Sequence, residues 1–243
     1  MPRRGRRWDY DRRLLPNSYL ARFEPQQPSP EMERLRAVVP TDEAGQKALQ
    51  AARYDALLEW LGGTEMTMGY PAWNLLYYSM ISSLLPTLPD PVVIETGTNL
   101  GLSTIVMAQA LKDVGLQAVV ETVEHNPERA AEARRNVEAA GLGEYVTFHV
   151  GDAIGFLSSL IERVEHLDFV FLDDLHERYH VEREIDLVCP KVAVRRGKVY
   201  FDNTGGGGVA AALGHLRDKH GGNLVEFANC SWHPAGNAIW QPD

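Results

Sequence analysis

The stretch that decides the fold is Val92-Val93-Ile94-Glu95-Thr96-Gly97-Thr98-Asn99-Leu100-Gly101-Leu102-Ser103. Its first half is apolar and β-branched, which is typical of a buried strand over residues 91–96. Apolar residues at helical spacing come after it, at Leu102, Ile105, Val106 and Ala110. Gly97 and Gly101 therefore fall in a turn from strand to helix, where glycine permits a positive φ and lets a ligand approach the backbone.

The same pattern of strand followed by helix continues along the chain. Further strands are predicted over 118–123, 145–150, 167–172 and 198–201. This alternation predicts a parallel, doubly wound α/β sheet with helices on both faces. Pro190 is expected to end the helix after the fourth strand, and Gly205–Gly208 are expected to form a mobile loop after the fifth. Segments 224–228 and 238–240 are expected to close the sheet as a hairpin-like pair, which supplies a C-terminal antiparallel strand.

Composition divides the chain into three parts. Residues 91–243 are the predicted core domain, and residues 41–90 are expected to be a helical lead-in that caps the substrate site. Residues 1–40 are rich in Arg and Pro and cannot form a core alone. They are either a solvated arm or a segment that closes over a neighbour's site in a homo-oligomer, because they carry several large apolar side chains.

The charge, hydropathy and cysteine content of the chain narrow its possible partners and its cellular compartment. The net charge of −9 argues against nucleic acid as the main partner, because phosphate contacts need a basic face. No signal peptide and no apolar stretch long enough to cross a membrane is recognised, so no membrane partner is expected. The two cysteines show no ligand spacing, and we therefore expect a cytoplasmic protein.

Each of the five predicted parallel strands ends at or beside an acidic residue: Glu95, Glu124, Asp152, Asp173 and Asp202. The carboxyl ends of parallel strands share one edge of the sheet, where ligands bind in open α/β folds. Five acids on one edge suit cations and ligands with hydroxyl groups. This favours S-adenosylmethionine, whose α-amino group and sulfonium are both positive, over a dinucleotide pyrophosphate.

Two different sites are predicted along this edge, one for a nucleoside and one for a cation. Glu124 follows the second strand, where an acid binds the hydroxyls of a ribose. Asp152 either takes an adenine amino group or caps the next helix. Asp173, Asp202 and Asn203 offer only oxygen ligands, which suits a hard cation such as Mg²⁺, although Asn203 alternatively only shapes a turn.

Four segments carry a resemblance to a known family: Val92–Ser103, Thr122–Pro127, Leu172–Tyr179 and Phe201–Thr204. Together and in this order they resemble the class I S-adenosylmethionine-dependent O-methyltransferases. The metal-dependent branch, which includes the catechol and caffeoyl-coenzyme A O-methyltransferases, is the most similar. The resemblance runs from about residue 66 to the end of the sequence, and it implies a Rossmann-like, mostly parallel seven-stranded sheet.

The resemblance also implies roles for single residues. The methionine part of the cofactor would be lined by Glu95, Gly97, Gly101 and Ser103. The ribose would be held by Glu124, the adenine would lie near Asp152, and the metal would be bound by Asp173, Asp202 and Asn203. In this branch a lysine three places after the first metal aspartate acts as the base. Here that place is His176, which is either the catalytic base together with metal-bound substrate at Asp173 or a surface residue at a helix start.

The sequence therefore predicts a Mg²⁺-assisted, S-adenosylmethionine-dependent O-methyltransferase that acts on a hydroxyl of a small molecule. We expect a sugar or polyketide-type natural product, such as a macrolide, because His176 replaces the lysine. A catechol-type phenol and a non-catalytic S-adenosylmethionine-binding protein are the alternatives. An NAD-dependent dehydrogenase is disfavoured, because Gly97 and Gly101 do not form the G-x-G-x-x-G pattern.

Overall fold

The computed structural model describes residues 72–84, 88–227 and 236–243. Within them, seven strands form one sheet in the order β3-β2-β1-β4-β5-β7-β6. The strands are β1 Val93–Thr96, β2 Val120–Glu124, β3 Val146–Val150, β4 Phe169–Leu172, β5 Lys198–Asp202, β6 Asn223–Phe227 and β7 Asn237–Gln241. Strands β1 to β5 are parallel, and β7 lies antiparallel between β5 and β6. The predicted α/β sheet with a C-terminal antiparallel strand is confirmed.

The helices of the described residues are α1 Ala72–Ile81, α2 Leu102–Val114, α3 Pro127–Ala139, α4 Ala153–Arg163, α5 Arg178–Arg195 and α6 Gly207–His220. Local sequence explains several of their ends. Before α3, the Asn126 side chain accepts hydrogen bonds from the amides of Glu128 and Arg129, with Pro127 as the first helical residue. None of these helices is long and apolar enough to cross a membrane.

The side chains of the strands alternate between two hydrophobic cores, one on each face of the sheet. Phe169, Phe171 and Tyr200 pack on one face with residues from α1 and α2. Their neighbours Val170 and Phe201 pack on the other face with residues from α4, α5 and α6. Both faces of the central strands are thereby buried, as expected for a parallel sheet covered by helices.

The arm at residues 1–40 and the first part of the predicted lead-in, residues 41–71, lie outside the described residues. The substrate cap over residues 41–90 and the contact between subunits through the arm therefore stay predictions. Within 72–84, part of the expected helical lead-in is present as α1, with Tyr77 and Met80 fully buried in the core.

The prediction that Pro190 ends its helix was wrong. Helix α5 continues to Arg195 and ends at Arg196, which adopts a left-handed conformation with φ 57°. Proline removes one hydrogen bond from the helix. Pro190 nevertheless lies on the exposed side of α5, and Cys189 and Val192, close to it in sequence, are buried. The Lys191 carbonyl also accepts a hydrogen bond from the Leu167 amide, which fixes the last turns of the helix to the start of β4.

The prediction of a mobile loop over four glycines was wrong for its second half. Gly207 and Gly208 form the first turn of α6. A Cβ atom at Gly208 would lie 2.0 Å from the His176 carbonyl oxygen, so only glycine allows α6 to approach the loop after β4 this closely. Because Gly208 packs against the His176 carbonyl, the start of α6 lies next to the candidate site.

Candidate active site

The candidate site lies where the order of the strands reverses, at the carboxyl ends of β1 and β4. Strands β2 and β4 flank β1, and the chain leaves β1 and β4 in opposite directions across the sheet. Such a reversal opens a crevice outside the sheet, which is where open α/β folds bind their ligands. A Cβ atom at Gly97 would lie 2.1 Å from the Asp173 carbonyl oxygen, so the turn after β1 touches the loop after β4.

The structure brings together the predicted metal ligands and the predicted base. Strands β4 and β5 are adjacent, with Leu172 opposite Phe201, so Asp173 and Asp202 end neighbouring strands. The Asn203 amide Nδ2 lies 3.1 Å from Asp173 Oδ1 and 3.1 Å from His176 Nε2. His176 Nε2 is in turn 3.3 Å from Asp173 Oδ1. Asp202 is buried and accepts a hydrogen bond from the Asn237 side chain.

The charges in this group perturb one another. Loss of solvation and the nearby negative charge of Asp202 raise the pKa of Asp173 to about 7, against an opposing hydrogen bond from His176. The same hydrogen bond to Asp173 raises the pKa of His176, and partial burial opposes it. A carboxyl group whose ionisation is disfavoured by a neighbouring negative charge is one that a bound cation would stabilise in its ionised form.

Glu95 does not face the open edge in the way that the sequence suggests. Its side chain is fully buried, and its carboxylate accepts hydrogen bonds from the hydroxyls of Ser103, Thr104 and Thr122. Burial raises the pKa of Glu95 to about 7, although the three hydroxyls act against the shift. Glu95 and Ser103 thus hold the turn at Gly97 to strand β2 and helix α2, and their role as direct cofactor ligands stays a prediction.

Glu124 is the last residue of β2, and its role as the ribose-binding acid stays a prediction. One carboxylate oxygen accepts from the amide of Asn99, 2.8 Å away, and the other accepts from the amide of Asn126, 2.9 Å away. These two amides belong to the turns after β1 and β2, so they fix the carboxylate beside the crevice. Each oxygen of a carboxylate has a second lone pair, which stays available for a hydroxyl.

Asp152 and Gly101 occupy structural positions. The Asp152 side chain accepts a hydrogen bond of 2.7 Å from the amide of Gly155, so it caps α4. This confirms the cap among its two possible roles, and contact with an adenine stays a prediction. Gly101 precedes α2 and packs against Ala133 of α3.

Sequence reasoning missed three residues beneath the site. Glu184 is almost fully buried and accepts a hydrogen bond of 2.7 Å from the Thr96 hydroxyl. Burial raises the pKa of Glu184 to about 8. His180 Nε2 lies 3.0 Å from Asp174 Oδ2, and this contact with the carboxylate raises the pKa of His180. The signal for Glu184 was its position three residues after Val181, inside the apolar stripe of α5.

The donor atoms fit the groups that the resemblance implies. Asp173, Asp202 and Asn203 supply carboxylate and amide oxygens, and a half-turn of the Asn203 amide exchanges its nitrogen for its oxygen towards Asp173. This set suits Mg²⁺, which prefers oxygen ligands and retains waters or substrate oxygens. For S-adenosylmethionine, the Glu124 carboxylate at the end of β2 has acceptor capacity left for ribose hydroxyls.

Comparison with known proteins agrees with this arrangement. A family model described as a methyltransferase domain matches residues 94–204. The chain is 33% identical over 121 residues to a catechol O-methyltransferase of Niastella koreensis, and the match covers 46% of this chain and 53% of that protein. It is 34% identical over 129 residues to the catechol O-methyltransferase of Sus scrofa, covering 52% of this chain and 67% of that protein.

The fold is shared with solved O-methyltransferase structures. The O-methyltransferase from Bacillus cereus, solved in complex with SAH, is 17% identical and superposes with a TM-score of 0.59 over 87% of this chain and 96% of that one. The sequence matches are shorter, and the chain spans between about half and two thirds of the two catechol O-methyltransferases. On these matches and this fold, the chain belongs to the class I S-adenosylmethionine-dependent O-methyltransferases.

Proposed function

We propose that this protein transfers a methyl group from S-adenosylmethionine to a hydroxyl of a small molecule, with Mg²⁺ assisting. The observation that carries the proposal is the convergence of Asp173, Asn203 and His176 within 3.3 Å of one another beside Asp202. The names of the relatives in Niastella koreensis and Sus scrofa supply the reaction class. A scaffold protein that only binds the cofactor has no need for this group.

In the proposed reaction the residues of the chain position the reactants and remove a proton. Glu124 would hold the ribose of S-adenosylmethionine, so that its methyl group faces the acceptor. Mg²⁺ held by Asp173, Asp202 and Asn203 would lower the pKa of the acceptor hydroxyl and fix its position.

His176 carries the proton in this scheme. Its Nε2 accepts the proton of the acceptor hydroxyl, the oxygen forms a bond to the methyl carbon, and the carbon–sulfur bond breaks to leave S-adenosylhomocysteine. Its side chain is 47% exposed, which lets the proton pass on to solvent. A histidine titrates near neutral pH and needs less tuning for this role than a lysine.

For the acceptor, we propose a sugar or polyketide-type hydroxyl, and a catechol-type phenol is the second candidate. The replacement of the expected lysine by His176 supports the first. A sugar hydroxyl is much less acidic than a phenol, so activation by a metal and a nearby base matters more. The names of the two catechol O-methyltransferase relatives support the second.

The test is methyl transfer from S-adenosylmethionine labelled in its methyl group. Chelator-treated protein is offered a panel of glycosides and macrolides and, in parallel, dihydroxyphenyl compounds, with and without Mg²⁺. The proposal predicts labelled glycoside or macrolide only when Mg²⁺ is present. Product from the dihydroxyphenyl compounds alone would establish the second candidate. Binding of S-adenosylhomocysteine with no product from any acceptor would overturn the enzymatic proposal in favour of a binding protein.

A further inference from the structure

A second group of ligand atoms lies far from the candidate active site, between α5 and α6. Asp186 of α5 faces His215 and His220 of α6. The Nε2 atom of His215 is 2.9 Å from Asp186 Oδ1, and the Nε2 atom of His220 is 3.1 Å from the same oxygen. Two imidazoles thus converge on one carboxylate oxygen, and the three atoms all lie within 4.8 Å of one another.

This spacing fits a tetrahedral transition metal. With bonds of about 2.0–2.1 Å, the ligand atoms around Zn²⁺ are roughly 3.3–3.4 Å apart. The two distances to Asp186 Oδ1 are slightly shorter than that, so a small separation of the side chains would admit the ion. Imidazole nitrogens with one carboxylate suit Zn²⁺ and its neighbours, and they do not suit Mg²⁺ or Ca²⁺.

The surroundings leave the ligand atoms available. Lys219 Nζ lies 2.8 Å from Asp186 Oδ2, the carboxylate oxygen that does not face the histidines. A partner on the second oxygen is what orients a ligating carboxylate in metal sites. Arg217, in the same last turn of α6, is paired with Glu226 of β6, so its charge is compensated. All three ligand side chains are partly exposed, which gives an ion a path of entry.

The geometry of α6 also favours a cation at this place and separates it from the candidate active site. His220 is the last residue of α6, where the negative end of the helix dipole favours a cation. From Gly208, which packs on the His176 carbonyl, His220 is roughly 18 Å away along the helix. A metal here would therefore not be the one that assists methyl transfer.

We propose that Asp186, His215 and His220 bind one transition-metal ion of the Zn²⁺ class, with water as the fourth ligand. The ion links α5 to α6, the two helices whose first turns border the candidate active site. Because it binds the folded protein and bridges two helices, it stabilises the native state. Its affinity falls as the pH falls, since both imidazoles must be neutral to ligate.

The test is titration of chelator-treated full-length protein with Zn²⁺ in a large excess of Mg²⁺, which occupies oxygen sites. Wild type is expected to bind one more equivalent of Zn²⁺ than His215→Ala or His220→Ala, and to show a Zn²⁺-dependent rise in Tm that both variants lack. Co²⁺ in place of Zn²⁺ is expected to give the visible absorption of a four-coordinate ion in wild type only.

Two further variants make the outcome decisive. The matched control is His149→Ala, because His149 pairs with Glu121 at 3.1 Å without a second histidine; this variant should bind as wild type does. Asp186→Asn keeps the shape of its side chain and should weaken binding even if a histidine variant fails to fold. Equal Zn²⁺ stoichiometry and Tm shift in wild type and all ligand variants would overturn the proposal. So would zinc binding that is lost in Asp173→Asn and retained in His215→Ala.

Discussion

Glu95 lies on β1 and Asp173 directly follows the adjacent strand β4, and both carboxyl groups have a pKa of about 7, but for different reasons. Glu95 is sealed inside the protein, where burial outweighs hydrogen bonds from three hydroxyls. Asp173 lies at the crevice and is perturbed by loss of solvation and by the second carboxylate of Asp202. A cation can reach and stabilise the Asp173 pair, whereas the hydroxyls already complete Glu95. The first acid therefore shapes the turn, and the second is suited to chemistry.

The largest loss of activity is expected when one carboxylate of the pair Asp173 and Asp202 is removed. Asp173→Asn removes one negative ligand, and we expect methyl transfer to fall on the order of a thousandfold, as when a group that stabilises developing charge is lost. The measurement is kcat at saturating Mg²⁺. Asp218→Asn, an exposed aspartate on α6, is the control and should keep full activity. Equal turnover in wild type and Asp173→Asn would contradict the difference between the two acids.

A smaller loss of activity is expected when the proposed base, His176, is replaced. His176→Gln should lower kcat by about a hundredfold at neutral pH, the lower range for a general base. Its hydrogen bond to Asp173 raises the pKa of His176 above 6.5. The neutral imidazole accepts the proton, so the wild-type rate should rise with pH through that raised pKa. The variant should lose this acid limb, and a pH profile like that of wild type would remove His176 as the base.

Replacement of the proposed ribose ligand Glu124 should weaken the binding of S-adenosylhomocysteine. Glu124→Gln removes the charge from the proposed hydrogen bonds to the ribose, and such bonds contribute about 1.5–3 kcal/mol, so the Kd for S-adenosylhomocysteine should rise by about tenfold or more. Calorimetry measures the Kd. Glu128→Gln, an exposed glutamate one turn further along, is the matched control. An unchanged Kd in Glu124→Gln would remove that acid from the cofactor site.

The last prediction concerns the stability of the protein, not its activity. The folded-state pKa of Glu95 is about 7, compared with 4.5 as its ordinary value. The folded protein binds more protons between these values, so its stability falls as the pH rises from 4.5 to 7. At pH 8 the ionised, buried carboxylate costs about 3 kcal/mol. Glu95→Gln should show a flatter dependence of unfolding free energy on pH, measured by denaturant titration from pH 4.5 to 8. Parallel curves for wild type and variant would show that Glu95 is not perturbed.

The fold could be predicted because its signals are local. Strands such as 167–172 are short apolar runs, and Asn126 with Pro127 marks a helix start whose cap the structure contains. The proximity of Asp173 and Asp202 also followed from topology, since adjacent parallel strands bring their carboxyl ends together. Asp173, His176 and Asn203 consequently meet as the sequence suggested.

What could not be predicted depends on contacts between distant segments. Nothing near Pro190 in sequence reveals that the Lys191 carbonyl bonds to Leu167 and holds the helix beyond the proline. The close approach of Gly208 to the His176 carbonyl is likewise a contact between helix and loop. The burial of Glu95 requires knowing that Thr122 of the neighbouring strand completes its hydrogen bonds. In each case tertiary packing overrides the local signal.

The most direct test of the proposed site is calorimetric titration of S-adenosylhomocysteine, followed by Mg²⁺, into chelator-treated protein, with Asp202→Ala as the variant. We expect S-adenosylhomocysteine to bind both proteins and Mg²⁺ to bind wild type only, because Asp202 and Asp173 together form the negative pair. Mg²⁺ that fails to bind wild type, or that binds Asp202→Ala equally well, would contradict the assignment of Asp173, Asp202 and Asn203 as the metal ligands.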